Sequence, residues 1–148
     1  MTADQGGGLE RRSASRNRLA GLVTSRNETL TLYAELARLR PFKPEPVTAE
    51  ALQEFCEALI DYAASAHFQL YRYAAENRER REPVRSVAES IYPRISVMTD
   101  NILAFNDRYG SAELDGCLDT LADDLSLIGE ELADRIQMED QLIEALTR

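Results

Sequence analysis

The last third of the chain carries one unbroken apolar period. Leu114, Leu118, Leu121, Leu125, Ile128, Leu132, Arg135, Glu139, Leu142 and Leu146 follow one another in alternating steps of four and three, which aligns them along one side of an α-helix as a heptad seam. Such a stripe must be buried against other elements, and the rest of the chain supplies helices rather than strands. Ala, Leu, Glu and Arg abound, glycine and proline number only seven and five, and no long β-branched run appears. With 148 residues, 44% of them apolar and 29% charged, a single core can form without disulfide or metal staples.

Three further amphipathic segments precede the seam. Residues 1–12 include Gly6-Gly7-Gly8 and read as a flexible tail, which leaves 13–148 as one helical domain. From Ser13 to Arg40 a first helix places Leu19, Val23, Leu30 and Ala37 on one face, and Pro41, Pro44 and Pro46 close it. A second helix runs from Thr48, as N-cap with Glu50 in the first turn, to Asn77, with Cys56, Ile60, Ala63, His67, Leu70 and Ala74 as its seam. The mixed signs of Arg78-Glu79-Arg80-Arg81-Glu82 suit a solvated turn. Pro83 opens a third helix, whose stripe is Val84, Ala88, Ile91, Ile95, Met98, Ile102 and Phe105, with Pro93 predicting a kink or break near Tyr92. Gly110 stops it and Ser111 caps the fourth helix. The expected fold is all-α, an antiparallel four-helix bundle with that irregularity in its third helix.

Charge narrows the partners. Seventeen basic and 26 acidic side chains give a net charge of −9, which argues against direct binding of nucleic acid or an anionic membrane. Residues 100–148 alone hold 13 acids against 3 bases, so a basic partner would be steered toward the negative field of the last third. The start Met1-Thr2-Ala3-Asp4 lacks the cationic and apolar regions of a signal peptide and no run is long enough to span a membrane, which predicts a cytoplasmic protein, expected to be monomeric. Both cysteines, Cys56 and Cys117, fit apolar helical faces and read as packing residues.

The informative positions are polar residues on the seams. Arg135 and Glu139 occupy consecutive seam sites of the fourth helix, Arg26 and Tyr33 lie on the stripe of the first, and His67, the one histidine, lies on the second. Buried and unpaired, an arginine or glutamate would cost several kcal/mol. The expectation is an internal network in which Arg26 and Arg135 face Glu139, with His67 or Tyr33 closing it. The pattern supports no catalytic site and no histidine- or cysteine-based metal site; a carboxylate-only metal bundle stays open and predicts bound metal in the purified protein. Di-iron bundles need two histidines, Cys56 and His67 stand about three turns apart, and Asp61 and His67 point about 120° from one another. No nucleophile motif, phosphate loop or dinucleotide fingerprint is present, so neither enzyme activity nor a cofactor is expected.

Two stretches carry a family resemblance. The run Ala51-Leu52-Gln53-Glu54-Phe55-Cys56-Glu57-Ala58-Leu59-Ile60-Asp61-Tyr62, continuing through Ser65-Ala66-His67-Phe68-Gln69-Leu70-Tyr71, resembles the signature of the Rsd/AlgQ family of bacterial regulators of the primary sigma factor. Glu131-Leu132-Ala133-Asp134-Arg135, then Met138-Glu139-Asp140-Gln141-Leu142-Ile143, resembles that family's final helix. The resemblance covers about residues 19–146. It implies an anti-sigma factor, a helical bundle that binds domain 4 of the primary sigma factor, keeps it from core RNA polymerase and the −35 promoter element, and favours alternative sigma factors in stationary phase. The family residues matched are Arg26, Asp61, Ser65, His67, Phe68, Pro93, Arg135, Glu139 and Asp140, with Tyr92 where relatives carry tryptophan. On this reading Asp61, Ser65 and Phe68 meet the partner. The competing reading is a non-enzymatic adaptor for a metabolic or stress-signalling protein, and capture of the primary sigma factor separates the two.

Overall fold

The computed structural model describes residues 2–77, 81–110 and 116–147. Among them every regular element is helical. Helix α1 spans Thr2–Ala37, α2 spans Pro46–Ser65, a π-helical turn follows over Ala66–Tyr71, and α3 over Arg72–Asn77 completes the second rod. Helices α4, Glu82–Tyr109, and α5, Leu118–Thr147, are the remaining two. Their contacts close a ring in which α1 packs on α2, α2 on α4, α4 on α5 and α5 on α1. Short connections leave successive rods antiparallel, and the four stripes meet in one core.

The stripes of α4 and α5 lie where the heptad steps put them. Val84, Ala88, Ile91, Ile95, Met98, Ile102 and Phe105 are all buried, as are Leu121, Leu125, Ile128, Leu132, Arg135, Glu139, Leu142 and Leu146. Leu114 and the cap expected at Ser111 lie outside the described residues. Gly110 is the C-cap of α4 and Pro83 sits in its first turn. Of the kink or break expected near Pro93, a break does not occur: α4 runs through Pro93 as one helix. Pro93 is exposed, as is Glu89 four residues earlier, so the carbonyl deprived of its N–H partner lies on the solvent side.

Elsewhere the register differs from the apolar pattern. In α1 the buried line passes through Leu19, Leu22, Thr29 and Leu36, while Val23 and Leu30 are exposed. Thr29 holds the seam because its one hydroxyl proton is shared between Ser25 O at 2.9 Å and Ala58 O at 3.1 Å, a polar solution invisible to a count of hydrophobes. The backbone of α1 is helical from Thr2, where a tail was expected up to residue 12; glycine lowers helix propensity without forbidding helical dihedrals. Helix α2 begins at Pro46 with Glu45 as N-cap. The fixed φ of proline starts it there, and Thr48, expected as the cap, is buried inside the first turn. Arg81, expected in a solvated turn, donates to Ala145 O and Leu146 O at 2.8 and 2.9 Å, which satisfies end carbonyls of α5.

One close approach needs a glycine. Tyr33 donates to Leu125 O at 3.2 Å and packs edge-on against Phe55, which seats its ring over Gly129. A Cβ at Gly129 would lie 2.6 Å from Tyr33 Cζ and nearer still to the hydroxyl. Gly129→Ala is therefore expected to destabilise the bundle by about 1–3 kcal/mol through overpacking, against a helix-propensity gain of about 1 kcal/mol. A urea melt of the variant checks this, and a midpoint at or above wild type refutes the contact.

Candidate functional site

At the centre of the bundle lies a carboxylate with no access to water. Glu139 is 0% exposed and Arg135, one turn before it, 1% exposed. Three donors meet on Glu139 Oε1: the hydroxyl of Tyr62 at 2.7 Å, the hydroxyl of Tyr71 at 2.6 Å and Arg135 Nε at 3.2 Å. Glu139 Oε2 lies 3.7 Å from Arg26 Nη1, beyond hydrogen-bond length, so attraction there is electrostatic. Arg26 donates instead to Asp140 Oδ1 at 2.9 Å. Arg135 Nη1 donates to Thr99 Oγ1 at 2.9 Å, and its guanidinium carbon sits 5.6 and 5.5 Å from the ring centroids of Tyr62 and Tyr71, within cation–π range. Helices α1, α2, α4 and α5 and the π turn all send a side chain to this cluster.

The π turn explains how two tyrosines nine residues apart reach one oxygen. In an undisturbed α-helix nine residues rotate the side chains to about 180° from one another. The i→i+5 bonding of a π turn advances the chain by less than the α-helical angle of about 100° per residue, so the turn over Ala66–Tyr71 brings Tyr71 back toward the side of Tyr62. The Tyr92 hydroxyl, donating to Tyr71 O at 3.1 Å, and the edge-on Tyr71–Tyr92 contact tie the turn to α4.

Arg26, Arg135 and Glu139 thus stand together, whereas the other two residues assigned to the network stand apart. Tyr33 points to Leu125 and Gly129. His67 is exposed and packs edge-on against Phe68. Tyr62 and Tyr71 do its part, and Thr99 supports Arg135. The seam drawn through Cys56 missed both tyrosines, which are buried on the same rod beside that line. On the outer side of the same rod Glu50, Glu54, Glu57 and Asp61 are all exposed, Ser65 is partly buried, and Phe68 stands 55% exposed. These positions recur every three or four residues and form an acidic ridge ending in an aromatic ring.

Burial and the Glu139 charge hold the hydroxyls of Tyr62 and Tyr71 well above the ordinary tyrosine range. Desolvation alone would lower the Arg135 guanidinium, yet Tyr71, Tyr62 and Glu139 outweigh it and the net shift is upward. The Cys56 thiol is pushed up to about 12, first by burial and then by Glu57 and Cys117, so it is no nucleophile at neutral pH. Among the described residues no group of three or more His, Cys, Asp or Glu is placed to hold a metal ion, and no helix is long and apolar enough to cross a membrane.

Two outcomes follow from this chemistry. Because the folded tyrosines keep protons that the unfolded chain releases near pH 10, their contribution to stability is complete below that pH and declines above it. The slope is about 1.4 kcal/mol per pH unit for each tyrosine, and Tyr71→Phe removes one share. Urea melts between pH 7 and 11 measure it. At pH 7, Glu139→Gln leaves Arg135 buried without its carboxylate and is expected to cost about 3–5 kcal/mol, more than the 1.5–3 kcal/mol, roughly, of a lost hydrogen bond to a charged group in Tyr71→Phe. Equal melting midpoints for the two variants contradict the central role of the carboxylate.

Comparison with known proteins assigns the chain to a family. The family profile described as regulator of RNA polymerase sigma(70) subunit, Rsd/AlgQ, matches residues 8–147. A regulator of sigma D from Yersinia enterocolitica is 35% identical over 125 residues, covering 81% of this chain and 74% of that protein. Proteins of the same name from Yersinia pseudotuberculosis, 36% identical over 81% of this chain and 73% of the relative, and from Pectobacterium atrosepticum, 30% identical over 82% of each, are also similar. No solved structure matches the chain. A profile match along nearly the whole length, with relatives of 30–36% identity over about four fifths of the chain, places this chain in the Rsd/AlgQ family of sigma(70)-subunit regulators.

Proposed function

We propose that the protein is an anti-sigma factor that holds domain 4 of the primary sigma factor on the outer face of α2 and the π turn. In this reading Asp61, Ser65 and Phe68 touch the partner, and the complex keeps sigma from core polymerase and the −35 element. The observation that carries it is the exposed ridge of Glu50, Glu54, Glu57 and Asp61 running into the exposed ring of Phe68. A helix-turn-helix module that grips promoter phosphates presents basic residues, so an acidic ridge complements the same surface and speeds encounter. An aromatic ring at the end of the ridge supplies the anchor that charge alone lacks.

No chemistry is required of such a protein. Sigma held here is withdrawn from core enzyme by mass action, and where both proteins accumulate in the cytoplasm of stationary cells, alternative sigma factors gain polymerase. The buried cluster keeps the scaffold in register and does not touch the partner.

Titration of purified sigma domain 4 against the protein at two salt concentrations tests the reading. Association is expected to be faster at low salt. Asp61→Arg is expected to weaken binding at least about tenfold, about 1.4 kcal/mol, with an unchanged thermal melt, since Asp61 is exposed. Failure of the two wild-type proteins to co-elute in mild buffer overturns the proposal.

A further inference from the structure

A cleft of about 560 Å³ opens between the π turn and α4. It is distinct from the outer ridge, and its volume lies within the usual span of small-molecule sites. Exposed His67, Arg72, Ser96 and Asp100 surround the mouth. The rings of Tyr71 and Tyr92, 6.1 Å apart and nearly perpendicular, line it further in. Arg135 lies at its floor.

The floor determines what the cleft can hold. Arg135 spends Nε on Glu139 and Nη1 on Thr99, and its second Nη has no partner among the described residues. The carboxylate it leans on is already saturated at Oε1 by three donors. Of the four charged groups in the cluster, Arg135 and Glu139 are fully buried and Arg26 is 13% exposed, whereas the second acid, Asp140, is 57% exposed. Arg26 is balanced by Asp140 at 2.9 Å on the α1 side of the bundle, away from the cleft, so the guanidinium that faces the cleft is that of Arg135 alone. A free guanidinium edge at the end of an apolar, ring-lined cleft is matched by a carboxylate carried on a flat apolar body.

We propose that the cleft is a binding site for a small planar aromatic carboxylate, whose anionic end accepts hydrogen bonds from Arg135 and whose ring lies against Tyr71 and Tyr92. The site depends on no property of the sigma complex, so it stands or falls separately from the function proposed above.

The chain's single histidine sits at the mouth and gives the test a reporter. The imidazole signals of His67 are followed by NMR at fixed pH during titration with 2-naphthoate, with neutral 2-naphthamide and with acetate. Expected are a saturable shift with naphthoate, at least fivefold weaker binding of the amide, and no saturable shift with acetate. Ala75→Trp, at an exposed position lining the cleft, is expected to abolish the naphthoate shift while leaving the thermal melt unchanged. Ser96→Trp serves the same purpose should the first variant melt early. A non-saturating response to naphthoate, equal affinity for acid and amide, or a shift that survives both filling variants overturns the proposal.

Discussion

One carboxylate oxygen organises the bundle. Glu139 Oε1 accepts from a tyrosine of α2, a tyrosine of the π turn and an arginine of its own helix, in a place water does not reach. A fully buried carboxylate costs several kcal/mol unless its lone pairs are met. Any sliding of one helix against another that parted a donor from this oxygen would incur that penalty. Apolar seams alone tolerate such sliding, because leucine packs against leucine one turn away almost as well. The polar centre thus specifies one register among several that hydrophobic burial would accept, and the fixed directions of its hydrogen bonds make the choice discrete.

The π turn is a consequence of the same demand. A regular α-helix from Thr48 to Asn77 would send Tyr62 and Tyr71 to opposite sides, leaving Glu139 one donor short. Widening the helix over Ala66–Tyr71 recovers the second hydroxyl, and Tyr92 secures the widened turn through Tyr71 O. The inner side of this turn completes the network while its outer side carries Phe68, so burial chemistry inside the bundle sets the placement of an aromatic ring outside it.

Legibility in the sequence follows from how each position is held. The seams of α4 and α5 were readable because their buried positions are almost all apolar, and Arg135 and Glu139 stood out as charges on an otherwise unbroken heptad line. Where a polar residue holds a seam by hydrogen bonding, hydropathy chose wrongly: Leu30 was selected and Thr29, bonded to Ala58 O, was the buried one. Pro93 predicts a kink or break, yet the helix continues through it because the lost hydrogen bond falls on the solvent side; the one interruption of α-helical pitch among the described residues is elsewhere. It lies in a stretch without proline or glycine, where tertiary demand, not local propensity, changes the helix. Tyr62 and Tyr71 were missed because a single-residue line of spacing three and four is narrower than the face a bundle helix buries. The close fit of Tyr33 over Gly129 had no pairwise signal beyond a glycine inside a helix.

Inner and outer residues of the second rod consequently answer to different physics. Glu54, Glu57 and Asp61 lie in water, where charges are screened and single substitutions shift stability little. Tyr62 and Tyr71, on the same rod, are buried against a charge, and a change at either reaches the register of the whole bundle. Substitution can therefore retune the charge pattern of the ridge without disturbing the scaffold, but no comparable freedom exists at the core. The converse coupling is geometric: loss of the Tyr71 hydroxyl relaxes the reason for the π turn, and a helix restored to regular pitch would rotate every residue beyond Ala66 relative to Asp61. The acidic and aromatic parts of the outer face lie on either side of that boundary, so their mutual orientation is maintained from inside, by a buried hydrogen bond.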